Sequence, residues 1–255
     1  ALMLVRFGLR AADDPRIVGT VRVIDLLCKV ETPSGPCWRR YNEDGYGEHA
    51  DGAPFDGTGI GRPWPLLTGE RGHYELAAGR KDEAERLAQV MAAFANEGGL
   101  LPEQVWDSDD IPERELYKGR PTGSAMPLVW AHAEYVKLRR SLRDGRVFDM
   151  PKVAARRYLR KKVRSPYFFW RPEQKRRSMP AGKVLRVELK DAALVRWSAD
   201  GWAASQESPT RDTGLGIHVL DLPTAKLPAG AEIVFTFHWT AENRWQGEDF
   251  RVTVV

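Results

Sequence analysis

The sequence predicts a mainly α segment followed by a β-rich one. Three observations carry this. Apolar residues recur at helical spacing through the first 140 or so positions, strict alternation takes over after residue 183, and a strongly basic stretch separates the two.

Taken in order, residues 1–11 have the apolar positions of a buried helix. Asp13-Asp14-Pro15 is a helix-start signal: a carboxylate can accept the orphan amides of the first turn, and proline loses nothing at the first helical position. Ile17, Val18, Val21, Val23, Ile24, Leu26 and Leu27 continue that helix until Thr32-Pro33-Ser34-Gly35-Pro36 stops it. A loop of roughly 25 residues follows, and loops that long inside a compact domain are usually functional. It ends in Asp56-Gly57-Thr58-Gly59-Ile60-Gly61, which lacks the preceding strand and the lysine of a phosphate-binding loop, so its glycines read as loop flexibility. Helical patterning resumes over 64–79, 81–96 and 123–143. It is clearest between Lys81 and Asn96, where Ala84, Leu87, Ala88, Met91 and Phe94 share one face.

After residue 183 the alternation in Val184-Leu185-Arg186-Val187-Glu188-Leu189 recurs at 217–222, 233–239 and 250–255. Turns such as Ala199-Asp200-Gly201 and Leu227-Pro228-Ala229-Gly230 intervene, and the whole predicts a small antiparallel β-sandwich. Alternation puts Phe235, Phe237 and Trp239 on one face, assigned to the core. The expected division is therefore 1–145 helical, 146–182 a basic linker or strap, and 183–255 the sandwich.

Composition excludes several classes. A hydrophobic fraction of 42% and a charged fraction of 29% are ordinary for a globular protein, and no apolar run approaches a membrane span. The N-terminus has no basic n-region or cleavage site and no initiating Met, so it reads as the inside of a longer polypeptide rather than a signal peptide. Two cysteines, Cys28 and Cys37, make neither a disulfide framework nor a metal site; they read as small buried residues, with a bridge between them left open. The net charge of +4 hides an asymmetry: Lys152 to Arg177 holds eleven Lys or Arg against Glu173 alone, so that segment is +10 and the remainder −6. Cations beside Tyr158, Tyr167, Phe168, Phe169 and Trp170 raise nucleic-acid binding, but no nucleic-acid motif accompanies them. The expectation is a strap packed on acidic surface of its own protein.

The candidate chemistry lies at Glu103, within Leu101-Pro102-Glu103-Gln104-Val105-Trp106-Asp107, on a short loop between helical stretches. Arg40-Tyr41-Asn42-Glu43-Asp44 precedes it on the long loop. Carboxylates move protons, arginine grips hydroxyls with a rigid fork, and indoles stack on the apolar faces of sugars. A loop glutamate alone is usually just solvated; the surrounding sequence changes the reading. This run, with Pro121 to Tyr135, Trp38 to Glu48 and Gly61 to Leu76, resembles the bacterial branch of glycoside hydrolase family 15, the glucoamylases and glucodextranases. The likeness covers roughly residues 1–140 in the family's order.

That resemblance implies the later part of an (α/α)6 barrel, twelve helices in two layers, with the sandwich appended. It implies an inverting, exo-acting hydrolase releasing β-D-glucose from the non-reducing ends of α-glucans. Glu103 would be the general base, Arg40 the sugar anchor, Asp44 its orienting partner or a second sugar ligand, and Trp64 and Trp106 the stacking rings. An α-1,6-specific glucodextranase and a non-catalytic glucan-binding fragment are the alternatives. One departure stands out: the family's general acid belongs to a tryptophan-then-paired-acid segment, and none exists here. The acid would then come from an N-terminal portion of the same enzyme, the expected partner besides an α-glucan oligo- or polysaccharide; neither nucleic acid nor membrane is expected. No cofactor is expected. His73 and His132 read as packed histidines without a third ligand, and Asp107-Ser108-Asp109-Asp110 has the oxygen density for calcium but not the spacing or glycine of an EF-hand. The tail resembles starch-binding sandwich modules, which makes Trp239 and Trp245, with Trp197 and Trp202, candidate glucan-stacking rings. Polymer substrates imply a secreted or periplasmic location.

Overall fold

Asp14 caps a helix as its sequence signal predicts: its carboxylate accepts the Arg16 amide at 3.0 Å, and Pro15 opens the first turn. That helix is α2 (Pro15–Leu27), preceded by a short α1 (Leu2–Arg6). The computed structural model describes residues 1–255, which form two units, Ala1–Val163 and Arg164–Val255. The boundary falls inside the basic segment.

In the first unit the stop after α2 is a hairpin rather than an irregular loop. β1 (Lys29–Thr32) and β2 (Gly35–Trp38) pair antiparallel around Pro33 and Ser34, with Gly35 at a φ of 124° that only glycine takes easily. Then come α3 (Pro65–Ala77), α4 (Lys81–Ala93), α5 (Val129–Asp144) and α6 (Lys152–Ala155), the last running into a π turn over Arg156–Arg160. α3 is the hub, packing on α1, α4 and α5. α5 begins at Val129 rather than near Gly123, because residues 120–128 are used to hold the loop of Glu103.

A buried charge network ties these helices together. The Glu134 carboxylate, 2% exposed, takes Arg6 Nη1 on both oxygens at 2.8 Å and stands 2.8 Å from His73 Nδ1. Arg6 also reaches Asp149, and His73 Nε2 lies 3.1 Å from Ser141 Oγ. Cys28 and Cys37 are free and buried, and burial pushes the Cys37 thiol up to about 12.

The second unit has two sheets. In one, β4 (Ser178–Met179), β12 (Phe250–Val254), β10 (Glu232–Trp239), β6 (Ala193–Ser198) and β7 (Gln206–Pro209) lie side by side, with β11 (Arg244–Trp245) also on β10. In the other the order is β3 (Tyr167–Trp170), β5 (Val184–Leu189), β9 (His218–Leu222) and β8 (Arg211–Asp212). Most pairs are antiparallel, but β3–β5 and β4–β12 are parallel. Trp170, Phe235, Phe237 and Phe250 form the centre of the core, with Trp239 packed against it.

The strap expectation needs correction. Lys152, Arg156, Arg157, Arg160, Lys161 and Lys162 are all exposed and none enters an ion pair. Only beyond the boundary do cations of this segment find acids, Arg171 with Glu188 and Lys175 with Glu248. No helix is long and apolar enough to cross a membrane.

Burial pushes the Glu134 carboxyl up, but His73 and Arg6 outweigh it and hold it below its ordinary 4.5. A depressed carboxyl stabilises the fold above its unfolded pKa, and that stability is lost as pH falls through the folded value. Glu134→Ala is expected to destabilise the helical unit by about 3 kcal/mol at neutral pH, because Arg6 and His73 lose the buried carboxylate they share and Arg6 is left with Asp149 alone. Urea titrations from pH 7 to pH 3 should also show a flatter acid limb in the variant; parallel limbs would remove Glu134 from the account.

Candidate active site

The loop carrying Glu103 is clamped along its length. Leu101 N donates to His132 Nε2 at 2.9 Å, Glu103 N to Ala125 O at 2.9 Å, Gln104 N to Ser124 Oγ at 3.0 Å, and Val105 N to Pro63 O at 3.0 Å. His132 is therefore a loop anchor, as a packed histidine should be. The Glu103 side chain emerges from this clamp 9% exposed. Tyr46 Oη donates to its Oε2 at 3.3 Å, and no protein hydrogen bond reaches Oε1. One oxygen is held and the other is left for water or a substrate hydroxyl.

Arg40 is locked by Asp44. Nε and Nη2 donate to the two carboxylate oxygens at 2.8 Å each, a bidentate fork. Burial pushes Asp44 up, but the Arg40 fork and the Tyr46 amide outweigh it and hold the carboxyl below its ordinary 3.8. The Arg40 guanidinium lies 4.9 Å from the Tyr46 ring centroid, 5.0 Å from that of Trp64 and 5.4 Å from that of Tyr41, so the cation is shared among three aromatic rings. Tyr46 links the two halves. The Glu103 charge, with burial and the shared hydrogen bond, raises the Tyr46 phenol and keeps it a donor.

Beneath this pair runs a second clamp. Arg62, 1% exposed, donates to Asp107 Oδ1 at 2.9 Å, Ser108 Oγ at 3.0 Å, Glu48 O at 2.8 Å and His49 O at 2.9 Å. Its guanidinium carbon stands 3.9 Å over the Trp106 ring. The glycines here serve close approach rather than flexibility: a Cβ on Gly59 would stand 1.9 Å from Gly47 O, and one on Gly61 2.5 Å from Asp44 Cγ. Beside the clamp opens a cleft of about 550 Å³, lined among others by Tyr46, Glu48, Gln104 and Ser124.

Of the predicted residues, Glu103, Arg40 and Asp44 converge. Trp64 backs Arg40 but is only 5% exposed, so it supports the cation rather than offering a free ring. Trp106 is corrected outright. It is fully buried, its Nε1 donates to Asp109 O, and no sugar can stack on it. Nor are the oxygens of 107–110 a calcium loop: Asp107 is taken by Arg39 and Arg62, and Asp110 accepts the Lys118 amide. In the second unit Trp245 is 43% exposed, edge-on to His238, whereas Trp239 is packed against the core and donates to Gln246. Trp197 is buried, and Trp202 donates to Asp249. Tyr46, Glu48, Arg62 and Gln104 were missed, although all four lie within the motifs; a tyrosine flanked by glycines on a functional loop was the available signal.

Residues 1–140 match the family model of glycosyl hydrolases family 15. The chain belongs to this family. It is 51% identical over 160 residues to a glucoamylase of Clostridium sp. (strain G0005), an alignment covering 63% of this chain and 21% of that protein. A crystal structure of a bacterial glucoamylase complexed with acarbose is also 51% identical, with a TM-score of 0.57, covering 62% of this chain and 22% of the other. The chain thus spans about a fifth of the length of these family 15 relatives.

Arg40→Met should raise the Asp44 carboxyl, since burial is then opposed mainly by the Tyr46 amide. A carbon-13 NMR titration of Asp44 reads this directly, and an unchanged titration would show that Arg40 does not hold it.

Proposed function

We propose that this chain carries the general-base half of an inverting, exo-acting glucoamylase-type hydrolase that releases β-D-glucose from the non-reducing ends of α-glucans. The observation that carries this reading is Glu103, with Tyr46 on one oxygen and the other free, beside an arginine locked by Asp44. Family membership supports it. In an inverting reaction an acid protonates the leaving oxygen while a base on the far face activates water, the two carboxyls about 6.5–9.5 Å apart. Glu103 Oε1 would take the proton of that water as it attacks C1, and Tyr46 would fix the carboxylate's orientation. Arg40, unable to swing because Asp44 grips it, would present its remaining donors to sugar hydroxyls.

On this reading α1 to α5 are late helices of an (α/α)6 barrel whose N-terminal portion supplies the acid. We take the enzyme to be secreted or periplasmic, on the ground that its expected substrate is a polymer. Trp245 is the ring we assign to glucan contact in the second unit. A second reading, a glucan-binding fragment without catalysis, is favoured by one observation, the exposed Trp245 ring of the second unit.

With the N-terminal portion present, glucose release from maltoheptaose is expected to fall about 10²–10⁴-fold in Glu103→Gln, the usual worth of a general base. Isomaltotriose run alongside reads the linkage preference. Full activity in the variant would dismiss Glu103 as base, while glucan binding without release in the complete protein would install the second reading.

A further inference from the structure

Away from Glu103, a second concave site lies where the ends of α3 and α5 meet α6. Arg146, Lys152, Arg156 and Arg160 line one cleft of about 640 Å³, floored in part by Val147 and Met150. All four cations are exposed, and none has an acidic partner. Neighbouring cations do: Arg140 holds Asp144, and Arg6 holds Asp149. Lys152, Arg156 and Arg160 recur every four residues, and like charges at that spacing destabilise a helix. The helix also changes form here. Lys161 N donates to Arg156 O at 2.9 Å, the five-residue step of a π turn, a feature found disproportionately at functional sites.

From this geometry we infer that the cleft is a binding site for a small ligand carrying at least two phosphate charges. Three guanidinium forks and an ammonium converge on a space of the size that takes discrete ligands. Guanidinium matches phosphate oxygens two at a time, so one phosphate occupies about one or two arginines and the full set calls for a second. An extended polyanion such as nucleic acid would follow a stripe of cations alone, whereas here the row Lys152, Arg156 and Arg160 shares its cleft with Arg146 and an apolar floor. The apolar floor suits the carbon skeleton between or beside the phosphates. The site is independent of the glycosidase reading and uses none of its residues.

The test is isothermal titration of the purified chain with inorganic pyrophosphate and tripolyphosphate at low salt. Expected is saturable one-to-one binding that weakens at least about tenfold in Arg156→Gln/Arg160→Gln, the loss of two charge-assisted forks. The matched variant Arg157→Gln/Lys162→Gln loses the same charge outside the cleft lining and should keep its affinity. Thermal melts of both variants check that the fold is unchanged. Absence of saturable binding overturns the proposal, as does equal weakening in both variants. Retention of an RNA homopolymer or of anionic vesicles that pyrophosphate cannot displace overturns it too, and would make the basic face a polymer or lipid surface instead.

Discussion

The guanidinium of Arg62 is the constraint on which the candidate site in the first unit depends. Burying a charge is costly unless it is paired and hydrogen-bonded, and here four acceptors and an indole face are supplied together. Two of those acceptors are carbonyls of the long loop, and the others belong to residues 107 and 108. The arginine therefore fastens the loop that presents Arg40 to the loop that presents Glu103. Gln104 repeats the join, donating to Tyr46 O at 3.1 Å and accepting the Arg62 amide at 3.2 Å. Two irregular segments, each of which would be mobile alone, become one rigid piece. The tight contacts at Gly59 and Gly61 lie within the long loop itself, whose two arms run so close that neither position has room for a Cβ.

That rigidity matters for the charges above it. An unrestrained arginine beside a glutamate would form an ion pair, which lowers the basicity of the carboxylate and occupies both its oxygens. Asp44 prevents this by taking the guanidinium in a fork. Glu103 is left with a neutral donor, the Tyr46 phenol, which orients it without supplying a full positive charge. Arg40 still feels Glu103, whose charge adds to the Asp44 pairing that raises the guanidinium's own pKa. The site thus separates two tasks that simple attraction would merge: one carboxylate holds the cation, and the other stays available for chemistry.

How much of this was legible depended on how local the cause was. Asp14, Glu103 and Arg40 could be read because their signals sit within a few residues of themselves. Trp106 could not. In an extended loop, neighbouring side chains face opposite ways, and only the partner across the gap, Arg62, decides which way is in. The helical patterns survived with their ends shifted, as at α5, where the preceding residues are spent on hydrogen bonds to another loop. Strand β3 was hidden because Tyr167–Trp170 lies in the basic segment, where its aromatics read as companions of the cations. It pairs parallel with β5, a contact set by the sheet rather than by its own sequence. The strap expectation failed for a related reason: composition shows that a segment is basic, but not that acids lie opposite it.

The two units place their charges differently, and this separates what each responds to. In the first, arginines and acids are drawn inward: Arg6 with Glu134, Arg62 with Asp107, and Arg71 with Asp25 and Glu75 all have side chains largely shielded from solvent. Such pairs lose a great deal when one partner is removed or protonated, because the other is stranded. In the second unit Ser198 and Thr224 are the only buried polar residues, and pairs such as Arg196 with Glu207 or Arg251 with Glu232 lie at exposed positions where each is worth little. Its stability rests on the apolar area closed between two sheets, a term nearly indifferent to pH. The unit that carries the candidate chemistry is therefore also the one whose fold is tied to protonation. The Glu103 charge is felt by Tyr46 and Arg40, while Glu134 and Asp107 each hold a buried arginine in the same unit.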